Sequence, residues 1–296
     1  MKIGITGASG FIGQRLVQTA NRRGHRVIGF SRNVTPAIPG CTETRLFDLN
    51  HPVNISGCDA LVHLAGESVA GIWSRAKKKR ILESRQLGTR HLVDAILAAQ
   101  TPPAVFASGS AIGFYGNTGE NPANEGAAAG EGFLAEVTKA WEQEAMRASE
   151  ANIRIILLRT GMVLGNNGGA LQAMLPAFRA GLGGRFGSGK QWMSWVHLDD
   201  AAALALFAIE NQAVQGPLNV VAPNPARNAE FTQILAHSLH RPAFFNVPAF
   251  ALKMMLRGFS SELLDSKRII PAQALRTGFE FQFPVLKTAL DNLFKP

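Results

Sequence analysis

The chain has 296 residues, 46% of them aliphatic or aromatic and 17% charged, a globular composition that excludes a disordered protein. Lys and Arg number 30 against 21 Asp and Glu, and the net charge of +9 favours an anionic ligand: nucleic acid, a phosphorylated small molecule or a nucleotide cofactor. Two cysteines, Cys41 and Cys58, exclude a disulfide-dense scaffold and a Cys-rich zinc site.

Residues 2–6 are short and β-rich, and after the glycines that follow, Phe11, Ile12, Leu16, Val17 and Ala20 recur at helical spacing until Gly24. A strand at 26–31, a weak strand near 44–47 and a strong apolar run at 60–65 come next. A long helix is expected around 75–99, a strand at 104–108, a helix around 132–150 and a strand at 153–159. This alternation predicts an α/β fold, a Rossmann-type doubly wound parallel sheet. Beyond Gly165 the periodicity changes, with a glycine-rich stretch at 181–189 and a helix near 200–210 that Asp199 could cap. Prolines at 223, 225, 242, 248, 271 and 284 mark a looser ending. The expected division is a Rossmann-type domain over 1–222, with 166–195 contributing to the substrate side, and a small C-terminal substrate-side subdomain over 223–296. The longest apolar run, 201–209, is about half a membrane span, and no basic n-region with an apolar h-region opens the chain. A cytoplasmic protein that engages no membrane is expected.

Gly7, Gly10 and Gly13 form Gly-x-x-Gly-x-x-Gly where the first strand meets the first helix. In that context the early glycines let the backbone turn towards a pyrophosphate, the helix N-terminus offers N–H groups and a positive dipole end, and Gly13 allows close helix–strand packing. The second strand ends in Ser31-Arg32-Asn33, with no acid to accept from a ribose 2′-hydroxyl. A base there favours NADP over NAD.

TGASGFIG at 6–13, LAGE at 64–67, YG at 115–116 and WVHLDDAA at 195–202 resemble an extended short-chain dehydrogenase/reductase of the NAD(P)-dependent epimerase/dehydratase superfamily. More narrowly, SR at 84–85, RTGMVLG at 159–165, GSGKQWMSWVHLDD at 187–200 and RIIPAQALRTGFEFQFP at 268–284 resemble its atypical "epimerase family protein" branch, with YfcH-type and SulA-like members. The resemblance implies NADP(H) contacts from Gly7, Ser9, Gly10, Phe11, Ile12 and Gly13, from Ser31 and Arg32, and from Leu64, Ala65, Gly66, Glu67 and Arg85. Ser108, Lys139 and Arg159 complete that set, with Lys139 at the nicotinamide ribose.

The family's proton-transfer motif, Tyr-x-x-x-Lys, is absent: four residues before Lys139 stands Ala135, and Tyr115 is the only tyrosine. Substitute proton carriers are Tyr115 itself, Ser108 or Ser110 at the usual hydroxyl position, and His197 or a water. Arg85 replaces an Asn of the family's relay, and Glu67 could bond its side chain or the ribose. Trp192, Met193 and His197 are expected to wall a substrate pocket, although Trp192 and Trp195 could equally be core, and His197 a structural histidine. The basic run at 77–80 lacks interleaved aromatics and reads as a solvated helix face, so no nucleic acid is expected. His, Cys and acids never group at metal spacing, and no metal is expected. Ser110, Tyr115 and Lys139 are therefore the catalytic candidates of an NADP-dependent oxidoreductase or epimerase-like enzyme acting on a small carbonyl, alcohol or nucleotide-sugar-like molecule. The alternative is a catalytically silent NADP(H) sensor or scaffold.

Overall fold

A computed structural model describes residues 1–294. Strands β1 (Lys2–Thr6), β2 (Arg26–Ser31), β3 (Glu43–Leu46), β4 (Ala60–His63), β5 (Val105–Ala111) and β6 (Arg154–Thr160) alternate with helices α1 (Phe11–Arg22), α2 (Arg75–Leu97) and α3 (Phe133–Met146). The chain continues through β7 (Met162–Leu164), α4 (Gly169–Arg179), β8 (Gly184–Phe186), β9 (Trp192–Met193), β10 (Trp195–His197), α5 (Leu198–Glu210) and β11 (Gly216–Val220). It ends in β12 (Ala226–Arg227), α6 (Asn228–Ser238), β13 (Phe245–Val247), α7 (Ala249–Leu256), α8 (Ser260–Leu264), α9 (Ala272–Arg276) and α10 (Leu286–Phe294).

Seven strands form one sheet in the order β11-β6-β5-β4-β1-β2-β3, every pair parallel. This is the Rossmann-type α/β sheet that the sequence predicts. Side chains alternate across it, as the two-residue period of a strand demands. Ile3, Ile5, Val27, Val62 and Val105 pack with α1 and α5 on one face. Ile28, Phe30, Leu61 and Phe106 pack with Leu92, Val93 and Ile96 of α2 on the other. Burying each of the large residues stabilises by about 1.5–3 kcal/mol. The strand order reverses between β1 and β4, so a crevice opens beyond the carboxyl ends of those strands.

Several boundaries shift for local reasons. β5 runs on to Ala111, where register with Thr160 of β6 extends a strand that Gly109 and Ser110 would weaken alone. α3 stops at Met146 and tightens into a 3₁₀ turn over Arg147–Ala151. α5 begins at Leu198, and its cap is His197, whose Nδ1 accepts from the Asp199 N–H at 3.1 Å. Asp199, expected in that role, sits inside the first turn, where its charge favours the helix dipole.

A second core joins β7, α4, α6 and α10 through Leu164, Phe178, Trp195, Phe231 and Leu290. The C-terminal residues do not stay within it. Ala274 and Phe279 return to the first core, Phe279 against Phe207 of α5 at 5.4 Å between ring centroids.

Candidate functional site

Gly7 leaves β1 at φ +70°, a left-handed conformation that only glycine adopts without strain, with the backbone of Leu64 and Ala65 3.0 Å from where a Cβ would stand. A Cβ on Gly13 would lie 2.1 Å from the Gly7 carbonyl oxygen. Gly10 then opens α1 with no capping side chain, so no side chain of its own competes for the helix's first N–H groups. A backbone cradle of this shape, at the positive end of a helix dipole, fits a pyrophosphate. Arg32, just past the end of β2, is exposed and has no partner among the described residues.

The loop after β4 is fixed from below. Thr6 Oγ1 accepts from the Leu64 and Ala65 N–H groups, both at 3.2 Å, and shares a 2.6 Å hydrogen bond with His63 Nδ1. Arg85 reaches up from α2 to donate to the Glu67 carbonyl at 2.9 Å, its guanidinium 5.0 Å from the Trp141 ring centroid. Burial brings the Arg85 pKa down to about 10. The Glu67 carboxylate turns the other way, to Lys77 at 2.8 Å and Arg80 at 3.7 Å. The expected Glu67–Arg85 side-chain bond is thus replaced by a bond to the backbone, and half of the 77–80 run is engaged by one carboxylate.

Beyond β5, β6 and β11 lies a buried polar chain. Ser110 donates to Glu142 Oε1 at 2.6 Å, and Arg159 grips both oxygens of that carboxylate at 2.8 Å each. Arg159 also donates to the Tyr115 hydroxyl at 2.9 Å, which in turn donates to Asn219 Oδ1 at 2.7 Å. The Phe114 ring centroid lies 3.5 Å from the guanidinium. Burial outweighs the Arg159 and Asn219 hydrogen bonds and leaves the Tyr115 pKa above its ordinary value.

Two expectations change here. Tyr115 neither has a free hydroxyl nor a lowered pKa, so it lacks both properties of a poised proton carrier. Arg159 has all three of its nitrogens engaged by Glu142 and Tyr115, because a guanidinium at 3% exposure must find its counter-charge inside the fold. Ser110 lies near the end of β5, and Lys139 stands exposed on α3, one turn before Glu142, with no partner among the described residues. Ser108 is fully buried, its hydroxyl turned to the Gly109 carbonyl at 3.2 Å. Ser9 precedes α1, Phe11 and Ile12 open it, Ser31 ends β2 and Gly66 follows β4; Phe11 packs against Gly165 and Gly168, and Gly66 lies beside the Arg85 guanidinium.

Glu142 and Asn219 were not foreseen. Ala135, Thr138, Glu142 and Ala145 fall at i, i+3, i+7 and i+10 on the buried face of α3, a spacing that would have marked Glu142 as an acid obliged to find a partner.

The residues expected on the substrate side separate. Trp192 is half-buried, its indole N–H on Glu120 at 3.0 Å, with the Arg227 and Arg268 guanidinium groups 4.0 and 4.6 Å from its ring centroid. Hydrogen bonds from Arg227 and Trp192 hold the Glu120 carboxyl down to about 2. Met193 takes a 3.3 Å contact from the Asn228 amide at its sulfur. His197 is 2% exposed, stacked on Phe283 at 4.0 Å and occupied as a helix cap, so it is structural rather than pocket-lining. Trp195 is fully buried core. A cavity of about 470 Å³ in this region is lined by Ser188, Gln191, Lys253, Ser260 and Asp265. A larger one, about 740 Å³, lies between residues 49–57 and the second half of α2 and contains none of the expected site residues.

A parallel sheet whose switch point carries a glycine cradle is the mark of the dinucleotide-binding Rossmann class. The chain matches the NAD dependent epimerase/dehydratase family over residues 3–221 and a domain of unknown function, DUF1731, over 247–293. It belongs to the NAD dependent epimerase/dehydratase family. It is 37% identical to the chloroplastic epimerase family protein SDR39U1 homolog of Arabidopsis thaliana, across 98% of this chain and 86% of that protein. It is 34% identical to the epimerase family protein YfhF of Bacillus subtilis, across 99% and 98%. The crystal structure of human epimerase family protein SDR39U1 (isoform 2) with NADPH superposes with a TM-score of 0.92 at 34% identity, across 100% of this chain and 99% of that one.

Proposed function

We propose that the chain binds NADP(H) and catalyses oxidoreduction, or transient oxidation within an epimerase-type reaction, of a small carbonyl, alcohol or nucleotide-sugar-like molecule. The observation that carries the cofactor is the glycine cradle at the α1 N-terminus beside an unpartnered Arg32. The NADPH-bound human relative supports it. In this reading Gly7, Gly10 and Gly13 hold the pyrophosphate, Arg32 the 2′-phosphate and Lys139 the ribose, within residues 1–222, while 223–296 close the substrate side. The cofactor would accept or supply the hydride. Ser110, which donates to Glu142 at 2.6 Å, would accept the proton of a substrate hydroxyl and hand its own to that carboxylate. Arg159 and Tyr115 hold Glu142 in place. Both thiols are pushed up to about 11 by burial, which makes them poor nucleophiles and suits a reducing compartment such as the cytoplasm.

Titration with NADPH and with NADH tests the cofactor. Arg32→Ala should weaken NADPH about ten- to a hundredfold, the worth of a charge-assisted bond, and leave NADH unchanged. Equal affinity of the unmutated protein for both would refute the 2′-phosphate contact.

A second reading, a silent NADP(H) sensor, is favoured by one observation: Ala135 stands at the position of the family's tyrosine, and the lone Tyr115 is fully hydrogen-bonded. NADPH turnover over a broad carbonyl panel, lost in Ser110→Ala, selects the enzyme. Failure across that panel, with a partner whose affinity follows the NADP+/NADPH ratio, selects the sensor.

A further inference from the structure

Exposed apolar side chains are normal when scattered, but here they concentrate. Phe244 is 90% exposed, Phe245 52%, Phe250 71%, Met254 74% and Met255 64%, all within twelve residues spanning β13 and α7. No other phenylalanine among the described residues is as exposed. On α7 the residues Phe250, Lys253 and Met254 stand at i, i+3 and i+4, one face of the helix, while Leu252 alone is buried as its anchor. The rim is basic. No acid occurs between Glu230 and Glu262, a stretch that contains Arg241, Lys253 and Arg257. Asp265 shares with Lys253 the lining of the neighbouring cavity and feels the Lys253 charge there.

We infer that β13 and α7 form a docking face for an anionic lipid bilayer, on which the chain lies peripherally. Phenylalanine and methionine side chains that protrude from a short, singly anchored helix enter the acyl boundary, and the lysine and arginines meet lipid phosphates. The charge decides the occupant. A second copy would set this patch against itself, since a two-fold interface brings Lys253 and Arg257 towards their own equivalents. A bilayer rich in acidic headgroups answers both the apolar and the basic half of the patch. Among the described residues no helix is long and apolar enough to cross a membrane, and the attachment inferred is at the surface.

Flotation of the full chain with vesicles of phosphatidylcholine alone, and of phosphatidylcholine mixed with phosphatidylglycerol, tests this. The chain should float with the mixed vesicles, less so in high salt, and not with the neutral ones. Joint replacement Phe250→Ser and Met254→Ser leaves every charge in place and, at exposed positions, the thermal unfolding unchanged. It should lower the bound fraction about tenfold, the equivalent of a little over 1 kcal/mol. Three results overturn the inference: no flotation with either vesicle, undiminished flotation of the double variant, which would mean adsorption by net charge alone, or a self-association that the variant abolishes in the absence of any vesicle binding.

Discussion

Arg159 and Glu142 show how one buried residue dictates another. A guanidinium at 3% exposure and a carboxylate at 7% cannot be taken from water singly, so the pair stands or falls together. Glu142→Leu should cost about 3–5 kcal/mol in denaturant unfolding, because it leaves Arg159 charged and unpaired. Combining it with Arg159→Met should restore part of that loss, and a double variant worse than either single one would show that the pair is not the unit. At this scale the sequence is legible where backbone geometry sets the residue, as at Gly7 and Gly13. It is not legible where partners meet across the sheet: nothing local tells that Ser110 on β5, Glu142 on α3, Arg159 on β6 and Asn219 on β11 converge.

Among elements, the contact of β5 with α3 governs how the catalytic candidates face one another. It depends on Gly109, whose absent Cβ would stand 2.7 Å from the Trp141 ring and 2.9 Å from the His63 carbonyl oxygen. Gly109→Ala should push α3 from the sheet and cost about 1–3 kcal/mol as overpacking does, with near-ultraviolet dichroism reporting a displaced Trp141. Unchanged stability and spectrum would mean that the helix gives way freely. Five of the six strands and the three helices of the first half follow from apolar periodicity, since each has a face to bury, whereas β3 buries no residue. The short strands after Gly165 do not. β9 pairs with β12 and β8 with β13 over two or three residues each, too short for any period, and their partners lie more than thirty residues away.

For the molecule as a whole, acid stability rests partly on His63. Its ring is fully buried, with Nε2 unpartnered, and burial with the nearby Arg85 charge lowers its pKa from 6.5 to about 4. The unfolded chain takes up this proton near pH 6.5 and the folded one only near 4. The contribution is therefore whole above pH 6.5 and is lost as pH falls to 4, about 3 kcal/mol in all. Unfolding free energies measured from pH 7 to 4 should show that decline in the unmutated protein and a flatter course in His63→Asn; a constant difference between the two would contradict it. The net charge of +9, which opened several anionic partners, is accounted for only in part by a dinucleotide.

Val220 ends β11, the last strand of the sheet, and the chain comes back beside it after Ile269. The Asn219 amide nitrogen donates to the Ile270 carbonyl at 2.9 Å while its oxygen accepts from Tyr115. Asn219 thus ties the sheet edge to the returning segment, and the single phenol of the chain holds that tie from inside. Tyr115→Phe should then speed amide hydrogen exchange over residues 266–271 about fivefold, the worth of one hydrogen bond, with the β1 and β4 amides unaffected. Unaltered exchange there would mean that the Asn219 amide holds the segment without the phenol. A tyrosine withdrawn from proton transfer thus serves as a rivet, fastening the sheet to the chain that comes back to it.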